Sequence, residues 1–225
     1  MHRLATAFTA IGFVSLFGAN ASADERAFSA QDVMSVCVAV AHDAKLAPMI
    51  LESQGWSAVP LEDYPTFRED LAVAFLGASY VYPRPVHGTA EVAEFWKDAW
   101  PEILNFTDRT LGEESVVIYE HAASGAVLLT EPAWANTTTG MSCLLAVPES
   151  NLKNSSYFPK LTKPTAPAVS FTKGEFFFSD VVRSKVSATS ASLDPEVISK
   201  ALNISTDIGA AFSSDVRHPT WALKP

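Results

Sequence analysis

Histidine is the side chain whose charge changes near neutral pH, and it is the commonest protein ligand of metals. After the first twenty-odd residues the sequence has four: His42, His87, His121 and His218. None stands in H-E-x-x-H, H-x-H or another spacing that places two ligands on one metal. His42 precedes Asp43 in a predicted helix, where adjacent side chains diverge by about 100° and do not share a site easily. The sequence therefore predicts no metal site.

His121 is the strongest candidate for a catalytic group. It ends a predicted strand at 115–122, in which side chains alternate, so that Val117, Tyr119 and His121 share one face and Glu120 lies on the other. A histidine at a strand end near a tyrosine can act as a general acid or base in a pocket. This gives one hypothesis, a hydrolase with a non-local active site near His121, although histidines at such positions are more often surface residues.

The local signatures of serine hydrolases and of nucleotide sites are absent from the sequence. It contains no G-x-S-x-G, no G-x-G-x-x-G and no P-loop. Glu113 and Glu114 form a carboxylate pair, which a solvated turn before a strand explains most simply. Because catalytic residues that converge from distant positions leave no motif, the catalytic set stays unknown. The sequence predicts no cofactor and favours a non-catalytic binding or accessory module over a hydrolase.

Aromatic residues give the one positive indication of recognition. Trp96 and Trp100 are four residues apart, on one face of a predicted helix, and residues 176–178 place phenylalanines on both faces of a predicted strand. Such residues can line a groove for a small molecule or a peptide, but they more often form the core. The other aromatics of this set are Phe95, Phe106 and Trp134.

The N-terminus has the pattern of a secretory signal peptide. A short basic start at Arg3 precedes an uncharged apolar run at 4–19, and small residues end at Ala23 before Asp24. The run is shorter than the roughly 20 residues of a membrane-spanning helix. Cleavage is predicted near Ala23, with Ala21 as the alternative, which leaves residues 24–225 as a single domain that is not inserted in the membrane. We therefore expect a periplasmic or secreted protein.

The two cysteines, Cys37 and Cys143, are too far apart for a C-x-x-C redox motif or a zinc knuckle. In an oxidising compartment they are expected to form a disulfide. Two separate buried thiols are the alternative.

Charge limits the class of partner. The 225-residue sequence has a formal net charge of −9, with 16 basic and 25 acidic residues and no basic cluster. An acidic surface does not attract phosphate backbones or anionic lipids. We expect an unknown protein or small-molecule partner and no nucleic acid.

Four N-x-S/T sequons follow the leader. They are typical of a glycosylated eukaryotic protein, but Asn, Ser and Thr also cluster in turns. The alanine-rich leader and the sparing use of cysteine favour a bacterial periplasmic protein. Whether the four sequon asparagines are glycosylated is therefore an open question. The sequons are at Asn105, Asn136, Asn154 and Asn203.

Helical periodicity is concentrated in the first half of the chain and strand alternation in the second. Helices are predicted at 29–44, 48–55, 66–78 and 89–103, with another at Asp194-Pro195. Strands are predicted at 115–122, 126–131 and 141–147, with a hairpin that turns at Lys173-Gly174. The end of the chain is unassigned. The pattern predicts an α+β domain whose helical N-terminal half packs on one face of an antiparallel sheet formed mainly by the C-terminal half.

Overall fold

The computed structural model describes residues 33, 36–37, 41, 43–79, 89–135, 138–154, 168–178 and 184–219. The predicted signal peptide at 1–23 lies outside the described residues, as do His42, His87 and Asn136. Among the described helices, none is long and apolar enough to cross a membrane.

Four α-helices are described, with 3-10 turns between some of them. Three precede the main part of the sheet and one lies between its last two strands. The 3-10 helices are Ala44–Leu46, Leu61–Phe67 and Glu149–Asn154. The α-helices are α1 (Ala47–Glu52), α2 (Arg68–Ser79), α3 (Thr89–Leu111) and α4 (Pro195–Leu202).

The described strands form one seven-stranded sheet in the order β1-β2-β3-β4-β7-β6-β5, and every neighbouring pair is antiparallel. With helices mainly in the N-terminal half and the sheet mainly in the C-terminal half, the predicted α+β class is confirmed. The strands are β1 (Trp56–Ala58), β2 (Val117–His121), β3 (Ala126–Ala135), β4 (Thr138–Pro148), β5 (Ala168–Phe178), β6 (Ser184–Leu193) and β7 (Ile208–Pro219).

Both faces of the sheet are covered, so the expectation of helices on one face alone is wrong. Alternate residues of β4 enter two separate cores. Leu145 packs with α1 and with Val33 and Cys37, whereas Leu144 packs with α2 and α3. The second core was not predicted because a strand buried on both faces has no alternation between polar and apolar residues.

A disulfide joins Cys37 to Cys143, with the sulfur atoms 2.10 Å apart and the Cα atoms 6.3 Å apart. Cys37 is helical, and both cysteines are buried. The predicted pair therefore connects the N-terminal helical segment to β4, which is the third of the predicted strands and the fourth observed.

Helix α4 begins where its sequence indicated. The side chain of Asp194 accepts a hydrogen bond from the backbone N–H of Val197 at 3.2 Å, and Pro195 occupies the first turn. Ile198 is fully buried, and Asn203 ends the helix at a φ of 55°. The helix predicted at 66–78 begins at Arg68, because Thr66 belongs to the preceding 3-10 helix, where its hydroxyl donates to the carbonyl of Asp63.

Two other strand assignments differ from the prediction. Lys173 and Gly174 do not form a turn, because they pair with Thr189 and Ala188 inside the ladder between β5 and β6. Strand β7, which lies between β4 and β6, was not predicted.

Candidate functional site

An open cleft of about 390 Å³ lies between the β1–β2 pair and the 3-10 helix Leu61–Phe67. Ser57 of β1 and Glu120 of β2 are cross-strand partners, so both belong to the face of the sheet that carries α2. The floor and walls combine apolar residues with hydroxyls and carboxylates. The lining residues are Ser57, Ala58, Val59, Pro60, Asp63, Thr66, Phe67 and Glu120.

Two carboxylates, Asp63 and Glu120, give the cleft its charge. Both are exposed, and neither forms an ion pair with the part of the chain that the structure describes. By contrast, the nearby Arg68 is engaged by Asp108, with Nη2 to Oδ2 at 2.7 Å, and this contact lowers the pKa of Asp108. The cleft therefore offers uncompensated negative charge beside an apolar surface.

Tyr64 completes the wall of the sheet behind the cleft. Its hydroxyl donates to the carbonyl of Val116 and accepts from the N–H of Ile118, each at 3.2 Å. Strand β1 pairs with β2 only from Trp56 to Ala58, with one further bond from Val59 N–H to the carbonyl of Ile118. The Tyr64 hydroxyl thus provides hydrogen-bond partners for two backbone groups at the start of β2, beyond the point where β1 ends.

Tyr64→Phe is expected to lower the free energy of unfolding by about 1–3 kcal/mol, because it leaves two buried backbone groups without a partner. Val116 and Ile118 are 4% and 0% exposed. Urea unfolding followed by circular dichroism measures the loss. Ser53→Ala removes an exposed hydroxyl that donates to Ile50, and it should change stability by less than about 0.5 kcal/mol. Equal stability of Tyr64→Phe and the parent would refute this role.

His121 lies away from the cleft. It is 3% exposed and shares with Tyr119 and Val117 the face opposite Glu120, as the alternation predicted. The centre of its ring lies 5.2 Å from that of the Trp56 ring, with the two ring planes tilted by 55°. His121, the predicted catalytic candidate, therefore does not line the cleft.

The imidazole of His121 contacts a hydroxyl. Nδ1 lies 2.9 Å from Oγ of Ser124, which also accepts from the backbone N–H of Ala126 at 3.2 Å. The carbonyl of His121 accepts from the N–H groups of Ser124 and Gly125, which has a φ of +66°. These bonds close the four-residue turn between β2 and β3, so the contact has a structural role at this turn.

No protein-family model, curated protein or solved structure matches the chain. Assignment of a site therefore depends on geometry alone.

The predicted aromatic residues do not meet in one groove. Trp96 is 2% exposed in the core beneath α3, while Trp100 and Phe95 are half-buried around it. Trp134 belongs to β3 and residues 176–178 to β5, with three strands between them. At about 4.8 Å per strand this separates them by roughly 19 Å.

Among the residues of the aromatic set whose burial the structure describes, Phe106 is the exposed one. It is 42% exposed, stacks edge-on with Phe75 at 4.9 Å, and has the guanidinium of Arg109 6.0 Å from its ring centre. The contact between Phe75 and Phe106 joins α2 to α3.

Tyr119 and Asp70 also have shifted pKa values. Burial raises the pKa of Tyr119 to about 12, so its hydroxyl stays protonated at neutral pH. Burial also raises the pKa of Asp70, which accepts from Thr206 Oγ1 at 3.1 Å. Thr206 in turn accepts from the N–H of Ile208. These consecutive hydrogen bonds connect α2 to the start of β7, and their residues do not line the cleft.

The remaining predicted positions do not converge on a site. Glu113 and Glu114 are exposed in the turn before β2, and His218 pairs with Thr139 through the backbone. Asn105 and Asn203 are exposed. Asn154 ends a 3-10 helix. Among the described residues, no group of three His, Cys, Asp or Glu side chains could hold a metal.

No sequence pattern indicates the cleft. Its residues come from β1, from the following 3-10 helix and from β2, and they are brought together only when residue 57 pairs with residue 120.

Proposed function

We propose that this chain is a non-catalytic binding module that works outside the cytoplasm and takes its ligand in the cleft between β1–β2 and the 3-10 helix. The observation that carries the proposal is the cleft itself, an open space of about 390 Å³ lined by apolar residues and by two carboxylates that form no ion pair with the described residues. Concave apolar sites with a few polar groups are the usual form of a ligand site.

Export is supported by the leader sequence and by the disulfide between Cys37 and Cys143. Disulfides persist in oxidising compartments and are rare in the cytosol. We propose a periplasmic protein whose mature chain begins at Asp24, and N-terminal sequencing of the purified protein tests this start.

Binding is tested by screening the purified protein against a phage-displayed random peptide library and a set of small-molecule fragments. Ser57→Trp fills the cleft from an exposed strand position, whereas Ser57→Ala leaves it open. We expect ligands whose affinity falls about tenfold or more in Ser57→Trp and is retained in Ser57→Ala. Ligands that bind both variants equally would place the binding site elsewhere.

A hydrolase near His121 is the second hypothesis, and the 2.9 Å contact between His121 and Ser124 is the observation in its favour. It predicts turnover of ester or peptide substrates that both His121→Ala and Ser124→Ala abolish. Such turnover would replace the proposal of a non-catalytic module.

A further inference from the structure

We infer that the ligand of the cleft is an extended peptide segment that adds to the outer edge of β1 at Ala58 and places a lysine or arginine side chain between Asp63 and Glu120. This inference rests on the proposed function and names its class of partner.

The first support is the backbone of β1. The N–H of Val59 donates to the carbonyl of Ile118, and the register pairs Ser57 with Glu120 and Ala58 with Tyr119. In an antiparallel pair, the backbone N–H and carbonyl groups of successive residues point alternately toward the partner strand and away from it. The backbone groups of Ser57 and Val59 therefore point toward β2, and those of Ala58 point to the opposite edge.

That edge is the end of the sheet in the described part of the chain, because β1 has β2 as its one neighbour there. Ala58 is exposed. An exposed edge with unpaired backbone groups is a template for another strand, and many peptide-binding domains use it in this way. Ala58 also lines the cleft, so one peptide can contact both features.

The second support is charge. Asp63 and Glu120 are exposed, face the same open space and have no cationic partner among the described residues. An ammonium or guanidinium group between them gains charge-assisted hydrogen bonds. Because the cleft is open and its lining includes the apolar side chains of Val59 and Phe67, it also accepts the aliphatic stem of such a side chain.

The test uses fluorescein-labelled synthetic octapeptides and fluorescence anisotropy with the purified chain. One peptide alternates valine and lysine, a second alternates valine and glutamate, and a third is the lysine peptide with alternate backbone nitrogens methylated. We expect the first to bind and the other two to bind at least about tenfold more weakly. Spermidine, a cation without a peptide backbone, should not displace it at equal concentration.

Variants locate the contacts. The double variant Asp63→Asn/Glu120→Gln should weaken the lysine peptide about tenfold, while Glu114→Gln, at an exposed carboxylate outside the cleft, should not change it. Ala58→Pro removes the outward N–H and should also weaken binding. If circular dichroism shows that this variant is unfolded, the methylated peptide decides the role of the backbone.

The outcomes separate this inference from the proposed function. Equal binding of the methylated peptide, or full displacement by spermidine, overturns strand addition in favour of a free cation. A second outcome is that no octapeptide binds, while library or fragment ligands bind the parent and lose affinity in Ser57→Trp. That outcome overturns the inference that the ligand is a basic peptide and supports the proposed binding module. Screened ligands that are insensitive to Ser57→Trp overturn both.

Discussion

The Gly140→Ala variant is expected to lose about 3 kcal/mol or more of folding free energy, or not to fold. Gly140 is a buried residue of β4 that pairs with Arg217 of β7. A Cβ at this position would overlap the carbonyl oxygen of Val216 and lie 3.1 Å from its carbonyl carbon. Because the obstacle is backbone, relief requires β4 and β7 to separate, which breaks their hydrogen bonds.

Chemical denaturation of Gly140→Ala measures this loss, and Gly112→Ala is the matched control. At Gly112 the nearest atom to an added Cβ is the carbonyl oxygen of Arg109 at 3.4 Å, an ordinary contact. The control should unfold within about 0.5 kcal/mol of the parent. If both variants were equally stable, the close approach of β4 and β7 at this point would be wrong.

The Cys37→Ala/Cys143→Ala double variant is expected to lose about 4–5 kcal/mol in the chain-entropy description of a cross-link, and often less in practice. The bond closes a long loop, with a sequence separation of 106 residues. It also holds the helical segment that contributes Val33 and Val36 to one of the two cores. That core should therefore loosen before the core formed by α2 and α3.

Urea unfolding of the parent with and without a thiol reductant, compared with the double variant, measures the contribution of the disulfide. The reduced parent and the double variant should have similar midpoints, both well below that of the oxidised parent. Amide exchange should rise first at Val33 and Val36 and later in α2. Coincident midpoints for the oxidised parent and the double variant would show that the bond adds nothing to stability.

Where interactions between neighbouring residues determine an element, the sequence was sufficient to predict it. Asp194 followed by Pro195 specifies a helix start through one capping bond and one fixed φ. The predicted strand at 115–122 was found at Val117–His121, since its alternation of side chains is set by the strand itself.

Where tertiary pairing determines structure, the sequence was misleading. Lys173-Gly174 is typical of a turn, yet ladder pairing with β6 keeps it extended. The first half of β7 is rich in small residues, and Ala210, Ala211 and Phe212 are all fully buried. A strand with neighbours on both edges and cores on both faces has no polar alternation, so its pattern does not differ from that of a buried loop or helix.

The candidate site could not be predicted for a related reason. Strand β1 has three residues, too few for a periodic pattern. Asp63 and Glu120 are far apart in sequence and belong to different elements, and neither stands in a motif. Their proximity results from the pairing of Ser57 with Glu120, which depends on the whole domain.

The position of β7 has a consequence for how the molecule is made. It is the last of the described strands along the chain, yet it joins β4 to β6. Before residues 208–219 emerge, β1–β4 and β5–β6 share no hydrogen-bonded edge, so the two halves cannot close into one sheet. A chain that passes through a membrane pore N-terminus first would complete its sheet only as this strand arrives. In the proposed export, the strand order itself would delay folding until the far side of the membrane is reached.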